Sequence, residues 1–132
     1  MPAVTVGGLY MVADQKIRLL PEGQRQEHEE RRRFVVLSRS ETNLEDGWQV
    51  VLGCPVSGST RFKTRFDVTL PYGEAGVTKK CWIRVPSVQP LLKTDLEDLT
   101  GTLSAERLKE VQARLLEYLG LISRTAPLPG GA

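Results

Sequence analysis

The spacing of apolar residues changes once along this chain, and that change limits the folds available to it. Up to about residue 85, apolar residues come in short β-type runs separated by connectors rich in Gly, Pro and Ser. After Ser104 they recur at steps of three and four residues, which is the period of an amphipathic helix. The pattern predicts a mainly β (α+β) fold, a small antiparallel barrel or half-barrel with a C-terminal helix.

Five runs have the composition of strands, and one segment has the signals of a helix. Ser104 is a good N-cap and Gly120 a plausible stop, so the helix covers about four turns whose apolar face packs on the barrel, although a partner helix could also use it. Pro86 and Pro90 confine the piece between them to an edge or a bend. The predicted strands are Val6–Ala13, Phe34–Leu37, Trp48–Leu52, Phe66–Leu70 and Cys81–Val85.

Length and composition favour one domain of ordinary type. The 132 residues are enough for a single core, which we place in residues 1–123, with a flexible Pro/Gly tail in 124–132. No apolar run approaches the roughly 18 residues needed to cross a bilayer, and the N-terminus lacks a leader pattern, so we expect a cytoplasmic protein without membrane contact. Cys54 and Cys81 lie in strand-like runs without metal-ligand spacing and are expected to be buried thiols.

Charge is grouped along the chain although the formal net charge is only +2. The segment from Arg25 to Arg33 mixes four Arg with three Glu and the single His, in an expected long loop between the first two strands. From Gly58 to Arg84 there are six positive and two negative residues, whereas Lys93 to Glu117 has four and six. A basic middle favours a polyanionic partner, the alternative being a solvated surface with no partner.

The side chains suited to chemistry are arginines, one histidine and hydroxyls. Sequence signatures of nucleotide-binding loops, serine hydrolases and zinc proteases are missing, and a single His excludes a His-rich metal cluster, so no metal and no cofactor is expected. One reaction suits this set. RNA cleavage by its own 2′-hydroxyl needs only groups to take and return a proton and cations to stabilise the phosphorane, a role that fits arginine.

Several short motifs occur in an order that resembles a known family. They are the opening Gly7-Gly8-Leu9-Tyr10, Arg33 before an apolar strand ending at Ser38, Pro55-Val56-Ser57 followed by Gly58, the strand Trp82–Val85 with its arginine, and Gly101-Thr102-Leu103-Ser104 leading into the helix. Together they resemble the MazF/PemK toxin endoribonucleases, including the plasmid-borne Kid-like branch, from about Gly7 to Leu121. The resemblance implies an SH3-like barrel of CcdB/PemK type, a homodimer, and an antitoxin partner with an acidic C-terminal segment.

The resemblance also implies roles for four residues. Arg33 would bind or stabilise the scissile phosphate, and Ser57 stands where the family has a threonine that contacts it. Arg84 matches an arginine proposed as catalytic in the Kid-like branch, and His28 precedes Arg33 as a histidine does there. Each position also has a plainer interpretation: Arg33 as a surface ion-pair partner, Ser57 as a turn residue, Arg84 as a strand residue extending to solvent, and His28 as an exposed loop residue.

Two departures from the family pattern bear on activity. Phe34 replaces the proline after the key arginine, and Pro86 takes the place of an acidic residue beside Arg84. Without that acidic neighbour the proton shuttle would fall to His28, Glu29, Glu30 or Arg33, of which His28 is the better candidate because arginine is a poor base.

RNA would be held as a single strand along a basic loop, with Arg61, Lys63 and Arg65 on its backbone. Phe62 would stack on a base, or serve only in packing. The alternative function is a non-catalytic PemK/CcdB-like binding module that inhibits a protein target or sequesters antitoxin.

Overall fold

Seven strands and two helices form within residues 3–19 and 30–123, which are the residues that the structure, a computed structural model, describes. Three-residue 3₁₀ turns connect several of these elements, among them Asp14–Lys16, Glu74–Gly76 and Val85–Ser87. The strands are β1 (Gly8–Ala13), β2 (Arg31–Val36), β3 (Val50–Ser57), β4 (Val68–Leu70), β5 (Cys81–Ile83), β6 (Gln89–Leu92) and β7 (Leu99–Thr102), and the helices are α1 (Ser40–Asn43) and α2 (Ala105–Tyr118).

The long strand β3 organises the sheet, whose order is β4-β5-β3-β2-β1-β7 with every pair antiparallel. One edge of β3 pairs with β2, whereas the other edge is shared, so that Val50–Gly53 pair with β6 and Val56–Ser57 pair with β5. The sheet therefore turns at β3 and closes into a half-barrel. This antiparallel half-barrel with one C-terminal helix confirms the expected fold class.

Apolar side chains fill both faces of the sheet at β1 and β2, because alternate residues of a strand point to opposite sides. Leu9 and Val35 join the core beneath α2, and Phe34 and Val36 join a second core on the opposite face. Gly53 allows this packing, since a Cβ there would lie 2.5 Å from the Phe34 ring. Phe34, which stands where the family pattern has a proline, is therefore a core side chain within a paired strand.

The C-terminal helix has the N-cap that the sequence indicates. The Ser104 hydroxyl accepts a hydrogen bond from the Arg107 N–H at 3.1 Å. Val111 is fully buried, and Leu108 and Leu115 pack against the same core. Gly120 follows the helix with φ +79°, a left-handed conformation that suits glycine after a helix end. The apolar stripe continues past this contact, so Leu119 and Ile122 are exposed.

Several element boundaries differ from the prediction. The Arg31–Arg33 segment belongs to β2 and not to the preceding loop, because Met11 and Arg33 are paired across β1 and β2. Strand β3 begins after Trp48 and extends to Ser57, well beyond the predicted end at Leu52. Strands β6 and β7 were not predicted as strands, because their pairing partners β3 and β1 are distant in sequence.

Cys54 and Cys81 are buried free thiols, as their strand positions predict. Burial, with a smaller contribution from the charge of Asp67, raises the pKa of Cys54 to about 12. Among the residues that the structure describes, no helix is both long and apolar enough to span a membrane.

Candidate nucleic-acid interface

Three consecutive arginines of β2 have three different environments. Arg31 pairs with Glu97 and Asp98, each at 2.9 Å. Arg32 points to the other side of the strand, where it is buried, with Nε 2.8 Å from Asp14 and Nη1 3.0 Å from the Val56 carbonyl. Arg33 donates through Nη2 to the Gly76 carbonyl at 3.3 Å, and its Nε is buried without a hydrogen-bond partner. Arg33 is therefore held by a backbone carbonyl.

A small cleft opens beside Arg33. Its volume is about 50 Å³, and Arg33 and Lys79 are among its lining residues together with Gly58, Thr78 and Cys81. Gly58 permits the close approach of Lys79, because a Cβ at Gly58 would lie 2.9 Å from Lys79 Cε. Within the described part of the chain, neither Arg33 nor Lys79 forms an ion pair with a carboxylate. Two uncompensated cations thus line one cleft.

The thiol of Cys81 reports the electrostatics of this cleft. Burial raises its pKa, while the charges of Arg33 and Lys79 act in the opposite direction. Both cations therefore act on a side chain that lines the cleft. Such a site favours an anion that carries several acceptor oxygens, since a guanidinium and an ammonium can each donate to a different oxygen.

Ser57 lies at the end of β3, between the cleft-lining residues Val56 and Gly58. Ser57 is only 4% exposed, and its Oγ accepts a hydrogen bond from the Ser59 N–H at 3.2 Å. A hydroxyl that accepts one hydrogen bond can still donate its own proton. Ser57 is thus placed beside the cleft without lining it.

Arg84 lies beneath the basic loop and does not line the cleft. Its Nη2 donates to the Phe62 carbonyl at 2.7 Å, and its Nε lies 3.1 Å from Asp67 Oδ2. The Arg84–Asp67 contact is an ion pair whose angle is too far off axis for a hydrogen bond from Nε. The structure therefore brings Arg33 and Ser57 to one region and places Arg84 elsewhere. His28 lies outside the described residues.

The loop of residues 58–66 carries the predicted RNA-binding residues on its surface. Arg61, Lys63 and Arg65 are exposed. The guanidinium of Arg61 lies 5.1 Å from the centroid of the Phe62 ring, and that of Arg65 lies 4.4 Å from the Phe66 ring. None of these three cations pairs with a carboxylate among residues 3–19 and 30–123.

Lys79 and Lys80 extend the basic surface and were not singled out from the sequence. The ammonium groups of Lys80 and Lys63 lie 5.7 and 5.8 Å from the centroid of the Trp82 ring. The sequence feature that could have indicated them is a pair of adjacent lysines directly before strand β5. Nothing in that signal shows that Lys79 folds back over Gly58.

The turn Glu74–Gly76 contains the Gly76 carbonyl that accepts the hydrogen bond from Arg33. Glu74 forms a two-point ion pair with Arg107 of α2, at 2.5 and 2.8 Å, and this lowers the pKa of the Glu74 carboxyl. The Ala75 carbonyl packs on Gly101, where a Cβ would lie 2.0 Å from it. Ala75 and Phe62 are the two non-glycine residues with positive φ in the described part of the chain, and both lie in loops that hold an arginine.

No group of three or more His, Cys, Asp or Glu side chains that could hold a metal ion occurs within residues 3–19 and 30–123.

One family model matches the chain. It describes a PemK-like, MazF-like toxin of type II toxin-antitoxin systems and covers residues 15–119. Among curated proteins, none matches.

Solved structures match over nearly the whole chain. A MazE-MazF complex (Form-II) from Deinococcus radiodurans is 24% identical, covers 92% of this chain and 100% of its own, and has a TM-score of 0.65. An endoribonuclease in complex with its cognate antitoxin from a Mycobacterial species is 16% identical, covers 92% and 98%, and also scores 0.65. The Mycobacterium tuberculosis toxin MazF-mt6 is 13% identical, covers 87% and 98%, and scores 0.66. At these identities the likeness shows the fold.

Proposed function

The chain belongs to the PemK-like, MazF-like toxins of type II toxin-antitoxin systems, and from that premise we propose that it is a metal-independent, sequence-selective endoribonuclease that cleaves single-stranded RNA in the cytoplasm. The observation that carries the proposal is the cleft in which Arg33 and Lys79 lie without carboxylate partners among the described residues. Cations that have no carboxylate partner at a cleft attract and bind the negative charge of a phosphodiester. The similar solved structures include an endoribonuclease from a Mycobacterial species.

The proposed reaction is an internal transesterification. The 2′-oxygen of the RNA loses its proton to a base and bonds to the adjacent phosphorus, and the bond from phosphorus to the 5′-oxygen of the next nucleotide breaks. The leaving 5′-oxygen takes up a proton, so the products are a 2′,3′-cyclic phosphate and a 5′-hydroxyl. Arg33 stabilises the charge on the non-bridging oxygens, and Ser57 donates to one of them.

His28 is the proposed proton-transfer group, since the pKa of arginine is above about 12 and makes it a poor base. The basic loop follows the RNA backbone through Arg61, Lys63 and Arg65, while Phe62 stacks on a base.

A cognate antitoxin is the proposed regulator. Similar solved structures include complexes, among them MazE-MazF from Deinococcus radiodurans and an endoribonuclease with its cognate antitoxin. For this chain we expect a small protein whose acidic, partly disordered C-terminal segment occupies the basic cleft. Its carboxylates would meet Arg33 and Lys79 and compete directly with RNA.

A homodimer is the proposed assembly, and an exposed apolar face supports it. Val50 pairs with Leu92 and Leu52 with Pro90, so cross-strand geometry places these four side chains on one face. All four are exposed, as is Trp48 nearby. Exposed contiguous apolar surface of this kind is typical of a protein interface, and a second copy would cover it by two-fold symmetry.

The decisive experiment incubates purified protein with a long RNA in EDTA and maps the ends by primer extension and mass spectrometry. We expect discrete cuts that carry cyclic phosphate termini. Arg33→Ala should abolish them, whereas the matched variant Arg39→Ala, which loses only an exposed pair with Glu41, should cleave normally. Intact RNA at high enzyme excess would refute the nuclease and favour the non-catalytic binding module.

A further inference from the structure

The ion pair between Arg84 and Asp67 is buried beneath the basic loop. The Arg84 side chain is 7% exposed and that of Asp67 is not exposed. A buried pair of this kind contributes little net stability, because both groups lose their hydration, but it fixes the geometry of whatever it contacts. What it contacts is the loop of residues 58–66.

Both members of the pair bind loop backbone. Arg84 Nη2 donates to the Phe62 carbonyl at 2.7 Å, and Asp67 Oδ2 accepts from the Thr64 N–H at 2.9 Å. The Asp67 N–H also donates to the Thr64 carbonyl at 3.2 Å. The two residues on either side of Lys63 are therefore held from below by groups that are themselves paired.

The tip of the loop has a conformation that needs such support. Phe62 has φ +67°, in the left-handed region that a residue with a bulky side chain rarely adopts. Phe62 is 38% exposed on a loop of cations, with the Arg61 guanidinium 5.1 Å from the centroid of its ring. An aromatic ring beside a cation is the arrangement on which a nucleobase stacks.

The same geometry argues against contact between Arg84 and RNA. To reach a phosphate, the guanidinium would have to leave the buried Asp67 carboxylate and release the Phe62 carbonyl. Asp67 would then be a buried charge without its cation, which is strongly unfavourable.

We propose that Arg84 and Asp67 are positioning residues that hold Phe62 in place as a base-stacking, specificity-determining side chain of the RNA site. The inference rests on the proposed ribonuclease function for its ligand. The positioning itself is a property of the free protein, so the two can be tested apart.

The first test measures the loop without RNA. Under native conditions, trypsin cleavage after Arg61, Lys63 and Arg65 is followed by mass spectrometry in the wild type, Arg84→Gln and Asp67→Asn. Both variants should raise the cleavage rate at these sites about tenfold, while cleavage after Lys109 in α2 and the behaviour of the control Arg39→Gln stay unchanged. Unchanged loop cleavage in both folded variants would overturn the positioning role.

The second test measures RNA cleavage, and it includes Phe62→Ala because that variant leaves the buried pair intact even if the others fail to fold. We expect Phe62→Ala and Arg84→Gln each to raise KM about tenfold and to broaden cut-site choice, with kcat within about threefold of wild type. The double variant should be no worse than either single variant.

Arg84→Lys, which keeps the charge but not the forked geometry, should restore only part of the site preference. A hundredfold loss of kcat at unchanged KM in Arg84→Gln would make Arg84 catalytic and overturn the proposal, as would an unchanged KM and cut pattern in Phe62→Ala. Absence of cleavage by the wild type would instead refute the ribonuclease and leave the trypsin result to decide the positioning.

Discussion

Two groups of cations in this molecule differ in what surrounds them. Three arginines each lie within hydrogen-bond distance of carboxylates: Arg31 with Glu97 and Asp98 just before β7, Arg107 with Glu74, and Arg114 with Glu117 of α2. Arg33 and Lys79 line a cleft and meet no carboxylate in the described part of the chain. A net charge of +2 conceals this segregation.

Whether an arginine is paired with a carboxylate, and not the number of charges, therefore determines whether it holds elements together or can bind an anionic ligand. Paired cations hold elements together, as Arg107 does for α2 and the Glu74 loop. Unpaired cations at a cleft maintain a positive potential that an anionic ligand can neutralise. The contrast is sharpest between Arg32 and Arg33, which are adjacent in β2 and both line the cleft, although of the two only Arg32 has a carboxylate partner among the described residues.

The largest expected effect is on catalysis by Arg33. Arg33→Ala should lower the single-turnover rate of RNA cleavage about 10²- to 10³-fold, because it removes a donor aimed at charge that develops in the transition state. Its urea midpoint should stay close to that of wild type, since among the described residues the Arg33 side chain donates to a single acceptor, the Gly76 carbonyl.

Arg31→Ala is the matched control in the same strand. It loses exposed ion pairs with Glu97 and Asp98, which contribute little at the protein surface, and should cleave within about threefold of wild type. Equal losses of activity in the two variants would remove the distinction between paired and unpaired cations.

The next effect concerns stability at Arg32. Arg32→Ala should reduce the free energy of unfolding by about 3–5 kcal/mol, because it leaves Asp14 buried without its cation. Urea denaturation followed by tryptophan fluorescence measures this. In the double variant with Asp14→Ala the loss should be smaller than the sum of the two single losses. An additive result would mean that the pair does not act as a unit.

Lys79 should show a smaller effect, on the salt dependence of RNA binding. Lys79→Gln should decrease the slope of log K against log salt concentration by about 0.7, the value for one contact with single-stranded nucleic acid. Fluorescence anisotropy with a labelled non-cleavable RNA at several salt concentrations gives the slope. The control Lys109→Gln, on the exposed surface of α2, should leave the slope unchanged.

The smallest expected effect is the pH dependence at Glu74. Arg107 lowers the pKa of this carboxyl from its ordinary 4.5, so the stabilisation is complete above that pH and is lost as the pH falls through the lowered folded-state pKa. Glu74→Gln should therefore be less stable than wild type by about 1 kcal/mol at pH 7. Urea denaturation should show that difference shrinking as the pH falls below 4.5. A difference that stays constant with pH would argue against the pair.

The sequence pattern was sufficient to predict those elements whose signals come from residues close together in the chain. The change of period located α2, and Ser104 marked its N-cap because a hydroxyl at that position satisfies a free N–H of the first turn. Motif order also identified the family that the model over residues 15–119 matches. Strands β6 and β7 were not predicted because their hydrogen bonds come from partners elsewhere in the chain.

The sequence indicated the residue types of the site, but not which of these residues the fold brings together. The roles of Arg33, Ser57 and His28 remain predictions, and Arg84 was expected beside them although the structure places it under the basic loop. Asp67, which pairs with it, carries no signal in the sequence, because a carboxylate shows its partner only after the chain has folded.

The amino-acid order alone determined the half-barrel with its helix and the presence of a basic middle segment, because periodicity and local charge are properties of neighbouring residues. Tertiary structure decided which guanidinium groups are neutralised. Arg32 pairs with Asp14, which is 18 positions away, whereas Arg33 donates to a backbone carbonyl and to no carboxylate within the described ranges. Coulomb energy depends on distance and burial in the folded chain, and neither quantity can be counted from a string of residues.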